Sequence, residues 1–334
     1  MTKAKKVMLV SAGLGAASVD VLGARTFTVV NACTFTIWPA IYTDLNVGDA
    51  PPDFPTGWEA RPFSSVVFQV PDNWASGRIW GRRGCDFTVK SGPTCLTGSC
   101  NGGLLCDQHT GTGVPPASVA EWTLQGGGNH DFYDVSIVDG FNLPMRITNS
   151  VSCPVADCTV DLNPSCPKPL VGPLDRTGSP AGCKSACSAD PNPQESPNCC
   201  SGSYANNCPS SGVQFYDFFK SNCPNSYAYA FDESSGTALW NCDSSLRANY
   251  ILTFCPTPNG TSPAVTSSSV ASAPPTRLAV PVTVSNTQTT SQPSLAPVPS
   301  LRESEVANTA QPRIARVLHT VALTSAVTVL RLVS

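Results

Sequence analysis

Sixteen cysteines stand between Cys33 and Cys255, and none lies outside that interval. An even number of cysteines behind a secretory leader reads as a disulfide framework. Metal binding is the competing use of cysteine. Only three histidines occur in the whole chain, and the cysteines do not repeat as C-x-x-C pairs, so zinc is disfavoured. Cys199 and Cys200 are adjacent and need separate partners. Sixteen cysteines allow roughly two million pairings, so spacing alone fixes none of them. The cysteines also bound the folded part at about residues 24–256, because no aromatic residue follows Phe254. That length suits one large domain or two smaller ones.

The segments on either side have a different character. Lys3, Lys5 and Lys6 precede an apolar run over residues 7–19, and Val21-Leu22-Gly23 offers a cleavage site. This is the pattern of a secretory signal peptide at residues 1–23, with a mature start at Ala24. The run is short for a bilayer span, and Asp20 interrupts it. From Thr257 the chain turns to Ser, Thr, Pro, Ala and Val, which predicts a disordered stalk over residues 257–316 that adds nothing to the fold. Asn259-Gly260-Thr261 is an N-glycosylation sequon at its root. Residues 317–334 are moderately apolar and are weighed as a lipid-anchor signal, against which His319 and Arg331 count.

Charge narrows the partners. Residues 24–256 hold twelve Lys and Arg against twenty Asp and Glu, a net charge of −8, although the whole chain stands at −3. An acidic body excludes nucleic acid and anionic membranes as natural partners and suits neutral polymers or cationic surfaces. A membrane enters only if the tail is a lipid-anchor signal. No cofactor or metal is expected, and the protein is expected to be a monomer.

Strand patterns dominate the body. Residues 25–31 and 35–42 read as an opening hairpin, followed by strands at 64–70 and 77–81. Residues 85–106 are glycine-rich with four cysteines and predict a small stapled lobe. Residues 153–223 are dense in Cys, Pro, Ser and Asn, bury little apolar surface, and must depend on cross-links. Within them, residues 213–220 (VQFYDFFK) predict a helix capped by Ser210-Ser211-Gly212, and a short helix is considered near residues 183–187. Residues 227–231 and 250–254 return to strand.

The stretch Glu121-Trp122-Thr123-Leu124-Gln125, the loop GGGNHD and Phe132-Tyr133-Asp134-Val135-Ser136-Ile137 alternate with period two. They predict a hairpin that sends Trp122, Leu124, Tyr133, Val135 and Ile137 into a core. A symmetric register sets Thr123 opposite Asp134 and leaves Glu121 facing Ser136, with Asp134 as its diagonal neighbour. Two carboxylates then share one polar face. Asp139 follows at an Asp-Gly turn.

Several motifs coincide with one family: Arg78-Ile79-Trp80-Gly81-Arg82; Cys95-Leu96-Thr97-Gly98-Ser99-Cys100; Gly102-Gly103-Leu104-Leu105-Cys106; Pro115-Pro116; Asp131-Phe132-Tyr133-Asp134; Asp139-Gly140-Phe141-Asn142-Leu143-Pro144; Cys223-Pro224-Asn225-Ser226-Tyr227; Phe231-Asp232; and Thr253-Phe254-Cys255-Pro256. The chain resembles a thaumatin-like protein of the pathogenesis-related class, in its long form with sixteen cysteines, over nearly all of residues 24–256. The resemblance implies a mainly β fold: a flattened antiparallel β-sandwich (24–82, 116–158 and 223–256), a small looped lobe (83–115) and a disulfide-rich helical and loop lobe (159–222). By cysteine order it implies the pairs Cys33–Cys255, Cys85–Cys95, Cys100–Cys106, Cys153–Cys242, Cys158–Cys223, Cys166–Cys183, Cys187–Cys199 and Cys200–Cys208. It also implies an acidic cleft of Arg78, Glu121, Asp134, Asp139 and Asp232. One departure is Ser99, where the family's Thr-Gly-Asp-Cys has its acid; Ser91 and Pro93 also break the pattern.

The resemblance implies a secreted protein of the cell exterior or wall that binds β-1,3-glucan, or another wall polysaccharide, in a defence or antifungal role. An alternative is weak endo-β-1,3-glucanase activity. Glycosidases need one carboxyl protonated and another ionised. In that reading Glu121 is the acid, raised by its neighbours, and Asp134 is the nucleophile or base, with Asp139 or Asp232 as substitutes. A third reading is a wall component without hydrolysis.

Overall fold

The computed structural model describes residues 23–257 apart from positions 49, 90 and 91, together with residues 266 and 267. The leader before Gly23, the sequon at Asn259, the remaining stalk and the apolar tail lie outside the described residues. In chain order the strands are β1 (Ala24–Asn31), β2 (Trp38–Thr43), β3 (Ser64–Pro71), β4 (Gly77–Arg82), β5 (Val119–Gly126), β6 (His130–Ser136), β7 (Met145–Asn149), β8 (Ala156–Cys158), β9 (Trp240–Asp243), β10 (Tyr250–Phe254) and β11 (Thr266–Ser267). They form a six-stranded sheet of order β11-β3-β1-β10-β7-β8 and a five-stranded sheet of order β2-β4-β5-β6-β9.

Alternation builds the core between the sheets. Phe27, Val29, Val66, Phe68, Tyr250 and Leu252 from the first sheet pack in one buried cluster with Ile79, Ala120, Trp122, Tyr133 and Val135 from the second. The Phe27 ring is its centre. Trp74, Trp122 and Tyr250 lie 5.6, 5.2 and 5.3 Å from it, at the tilted and edge-on angles aromatic rings favour. All five predicted core residues of the 121–137 hairpin are buried.

Three topological expectations are corrected. The opening segments do not form a hairpin, because β1 and β2 belong to different sheets and the link between them crosses the sandwich. The sheet holding β1 is not wholly antiparallel: β1 runs parallel to β10, with Phe27 beside Tyr250 and Asn31 beside Phe254. β1 and β10 are joined by no tight turn, so nothing forces antiparallel pairing. The tail also contributes one element, since β11 lies parallel to β3 at Ser64 and Ser65.

Local readings shift too. The helix is α1, Tyr216–Asn222, rather than 213–220. Ser210–Gly212 forms its own 3-10 turn, and Phe215 at φ 59° blocks an earlier helix start. Residues 183–187 hold no helix. Tyr227 makes a single parallel bridge, to Ser136, and the chain then turns, so residues 227–231 are not a strand.

All eight disulfides pair as the resemblance implies, and no described cysteine is free. Cys33–Cys255 ties the ends of the parallel strands β1 and β10. Cys100 and Cys106 of the looped lobe pack on Ala40, Tyr42, Trp80 and Val119. The lobe over 159–222 adds only a small apolar cluster, in which Ala186, Cys200, Cys208 and Val213 pack with Tyr229 from the segment that follows.

A buried charge cluster closes one end of the sandwich. Arg25 on β1 is 1% exposed and donates to Asp72 at 2.7 Å, to Asp131 at 2.9 Å, and to the carbonyls of Ala248 and Ser244. Asp131 also accepts from the Tyr250 and Ser244 hydroxyls and from the Gln125 amide.

Candidate functional site

The outer face of the five-stranded sheet carries the acids. In the observed register Tyr42 pairs with Arg78, Arg78 with Glu121, and Glu121 with Asp134. One straight rank of side chains therefore crosses β2, β4, β5 and β6. Glu121 lies directly opposite Asp134 rather than diagonal to it. Two features move the register: the turn is tighter than expected, with Gly126 beside His130, and a bulge follows, where Leu124 and Gln125 on β5 face the single residue Asp131 on β6, with Gln125 at φ 50°. Without the extra residue Glu121 would face Val135; the bulge brings both acids to one face. Directly paired residues bring Cβ atoms within about 4.5–5.5 Å.

Arg78 bridges the acids. Its Nη2 donates to Glu121 Oε1 at 2.7 Å, and its Nη1 lies 3.6 Å from Asp139 Oδ2. Burial alone lowers the basicity of this guanidinium, yet Glu121 and Asp139 outweigh it and hold the group above its usual value. Asp139 reaches the cluster from the turn after β6. That turn needs Gly140, at φ 88°, because a Cβ there would meet the Cys183 carbonyl oxygen at 2.7 Å.

Asp134 is the unusual member. It is 8% exposed, and its Oδ1 is buried without a hydrogen-bond partner in the structure. Burial, then the charge of Glu121, push its carboxyl well above the ordinary range, with Arg78 opposing and Glu233 adding. Asp139 is raised as well, first by burial and then, against Arg78, by Glu121.

Arg78, Glu121, Asp134 and Asp139 are thus brought together. Asp232 is not joined to them. It is fully buried and accepts from Lys220 Nζ at 2.9 Å, the Tyr216 hydroxyl at 2.8 Å and the Ala228 amide at 2.9 Å. Its oxygens are spent on anchoring α1. The neighbouring Glu233 reaches the acids in its place. Its charge acts on Asp134, and it accepts from the Tyr227 hydroxyl at 3.2 Å. Burial raises the Glu233 carboxyl. Tyr227 lies against the same group: burial, then Asp134 and Glu233, push its hydroxyl far above the phenol range. Sequence reading missed Glu233. The Glu directly after Asp232 was the available signal, but only the 3-10 turn Asp232–Ser235 decides which acid anchors α1 and which meets Tyr227. Among the described residues no group of acids, histidines or cysteines is arranged to hold a metal ion.

The pKa of Asp134 gives a stability test. A carboxyl raised in the folded state binds its proton more tightly there than in the unfolded chain. Stability is therefore complete below the unfolded value, at about pH 4, and declines as pH rises through the raised folded value. Asp134→Asn has no such ionisation. In urea unfolding the variant should be more stable than wild type at pH 7, by something on the order of 1 kcal/mol, with the difference closing near pH 4. A difference independent of pH would contradict a buried, raised carboxyl.

Fold and site together define a class: a disulfide-stapled two-sheet protein with an arginine-bridged acidic face. Residues 31–256 match the Thaumatin family, and the chain belongs to that family. It is 42% identical over 242 residues to Thaumatin-like protein 1 of Arabidopsis thaliana, covering 69% of this chain and 86% of that one. It is 38% identical over 240 residues to Pathogenesis-related thaumatin-like protein 3.5 of Cryptomeria japonica, covering 70% and 91%. It is 39% identical over 238 residues to Pathogenesis-related protein 5 of Arabidopsis thaliana, again covering 70% and 91%. The protein is accordingly a thaumatin-like protein of the pathogenesis-related class, and its dense disulfides are consistent with secretion.

Proposed function

We propose that this protein is secreted and, as a monomer at the cell wall, binds β-1,3-glucan across the rank Arg78–Glu121–Asp134, with Asp139 and Glu233 at its border. The observation that carries the reading is the buried, unpartnered Oδ1 of Asp134. Buried polar oxygens are almost always satisfied, and an exception within a cluster of acids asks for a partner from a ligand. Sugar hydroxyls can donate to an ionised carboxylate and accept from a protonated one. A neutral polymer also pays no Coulomb penalty on a body with a net charge of −8.

The test is sedimentation with insoluble β-1,3-glucan. Wild type should pellet with the polymer, and changing Asp134 and Asp139 together to Ala should leave at least about 90% of the protein in solution, as expected from a tenfold or larger loss of affinity. Equal pelleting of both proteins, or no pelleting of wild type, would refute the reading and leave a wall protein without this ligand.

A second reading, hydrolysis of the same glucan, has one observation in its favour. The carboxyl raised by burial stands directly across from one held by an arginine, which is how a glycosidase separates its acid from its nucleophile or base. The roles are the reverse of those expected from the sequence. Burial raises the Asp134 carboxyl, which suits it to the acid's role, while Glu121 is the carboxylate that contacts Arg78 at 2.7 Å.

A further inference from the structure

Several carboxyls meet on this face, and one guanidinium serves them. Arg78 contacts Glu121 at 2.7 Å and Asp139 at 3.6 Å. A second cation, Lys220, is held by Asp232 at 2.9 Å and by the Ser226 carbonyl. Among the described residues Asp134 and Glu233 form no ion pair. Asp134 is the worse placed of the two. Glu233 accepts from the Tyr227 hydroxyl, whereas Asp134 Oδ1 is buried without a partner. The groups that face Asp134 are Glu121 across from it on β5, Arg78 beyond that on β4, Glu233 from the 3-10 turn, and the Tyr227 hydroxyl. Two are acids, the one cation is shared with Asp139, and the phenol stays neutral. A buried carboxylate in that company is uncompensated.

A glucan laid over this face displaces water but brings no cation. The Glu121 and Asp139 side chains are still 20% and 30% exposed, so water screens them in the free protein. Covering them strengthens the repulsion between Asp134 and its acidic neighbours. One proton relieves it. A protonated Asp134 is also an O–H donor, and the hydroxyl oxygens of a glucan accept. From the charge count and the unpartnered oxygen we infer that glucan binding is proton-linked: the complex forms with a proton on Asp134, so acid strengthens it and base releases the polymer. This inference rests on the glucan-binding reading. A carboxyl that is more basic in the complex than in the free protein takes up a proton on association. Affinity is then full below its free pKa, falls by up to about tenfold per pH unit between the free and bound values, and is level above both. A neutral ligand has no charge for the body's net −8 to act on, so the dependence reports the covered acids.

The experiment is titration calorimetry with a linear β-1,3-linked hexasaccharide from about pH 4 to about pH 9, in buffers of different ionisation enthalpy so that proton uptake is read directly. Wild type should bind about tenfold or more tightly at the acid end, and should take up close to one proton per ligand where affinity is falling. Asp134→Asn cannot ionise, so its affinity should be nearly flat with pH and its uptake about zero. Asp139→Asn should keep the uptake and move it to lower pH, because Arg78 then serves one acid fewer. Equal affinity at both ends, or tighter binding at the alkaline end, refutes the linkage and leaves the glucan-binding reading standing. An uptake that persists undiminished in Asp134→Asn, or disappears in Asp139→Asn, puts the proton elsewhere and also refutes it. If wild type binds the sugar at no pH, the binding reading and the linkage fall together.

Discussion

Asp131→Ala is expected to cost about 3–5 kcal/mol in urea unfolding, the loss typical of a buried ion pair stripped of one partner. Arg25 would keep its contact with Asp72 but lose Asp131, at a position 1% exposed where water cannot take over. The Tyr250 hydroxyl would lose its acceptor in the core as well. The consequence reaches the functional face. Asp131 Oδ1 receives the Gln125 amide at 3.1 Å, within the bulge that sets Glu121 opposite Asp134. The same carboxylate thus holds the sandwich end and the hairpin register. A loss under 1 kcal/mol would show that the cluster is dispensable. Asp131→Asn should fall between wild type and alanine, because the amide keeps some hydrogen bonds and gives up the charge.

If the protein hydrolyses glucan, Asp134→Asn should reduce sugar release about 10²–10⁴-fold, the usual worth of general acid catalysis. Glu121→Gln should be equally damaging on the polymer, so the polymer alone cannot assign the roles. An aryl glucoside with a good leaving group can. Its departure needs little protonation, so Asp134→Asn should recover most of its rate while Glu121→Gln should not. The opposite pattern would return the acid role to Glu121. Absence of sugar release by wild type would leave binding as the sole activity of the face. The stereochemistry of the released sugar would then follow the separation of the two carboxyls, about 5–5.5 Å for a retaining enzyme and about 6.5–9.5 Å for an inverting one.

Much of this molecule was legible in its sequence. The sixteen cysteines and the motifs around Arg78, Asp134 and Asp139 carried the family resemblance, and cysteine order within it carried all eight pairs. Period-two alternation separated Trp122, Leu124, Tyr133, Val135 and Ile137 from the polar face, because neighbouring side chains on a strand point to opposite sides whatever they pair with. Pairing itself is not local. β1 and β2 look alike as strands, and only the packing of two sheets sends them to different ones. Parallel pairing of β1 with β10 joins residues more than two hundred positions apart. The register that makes Glu121 and Asp134 direct neighbours depends on a bulge, and the bulge's amide is held by a carboxylate that Arg25 and Tyr250 anchor from distant strands. The choice between Asp232 and Glu233 was likewise tertiary. The two residues are adjacent acids, and the one that meets Lys220 and Tyr216 is consumed by the fold. Residue types and their alternation decide what a strand offers to each face; which partner accepts the offer is decided by contacts that exist only once the chain is folded.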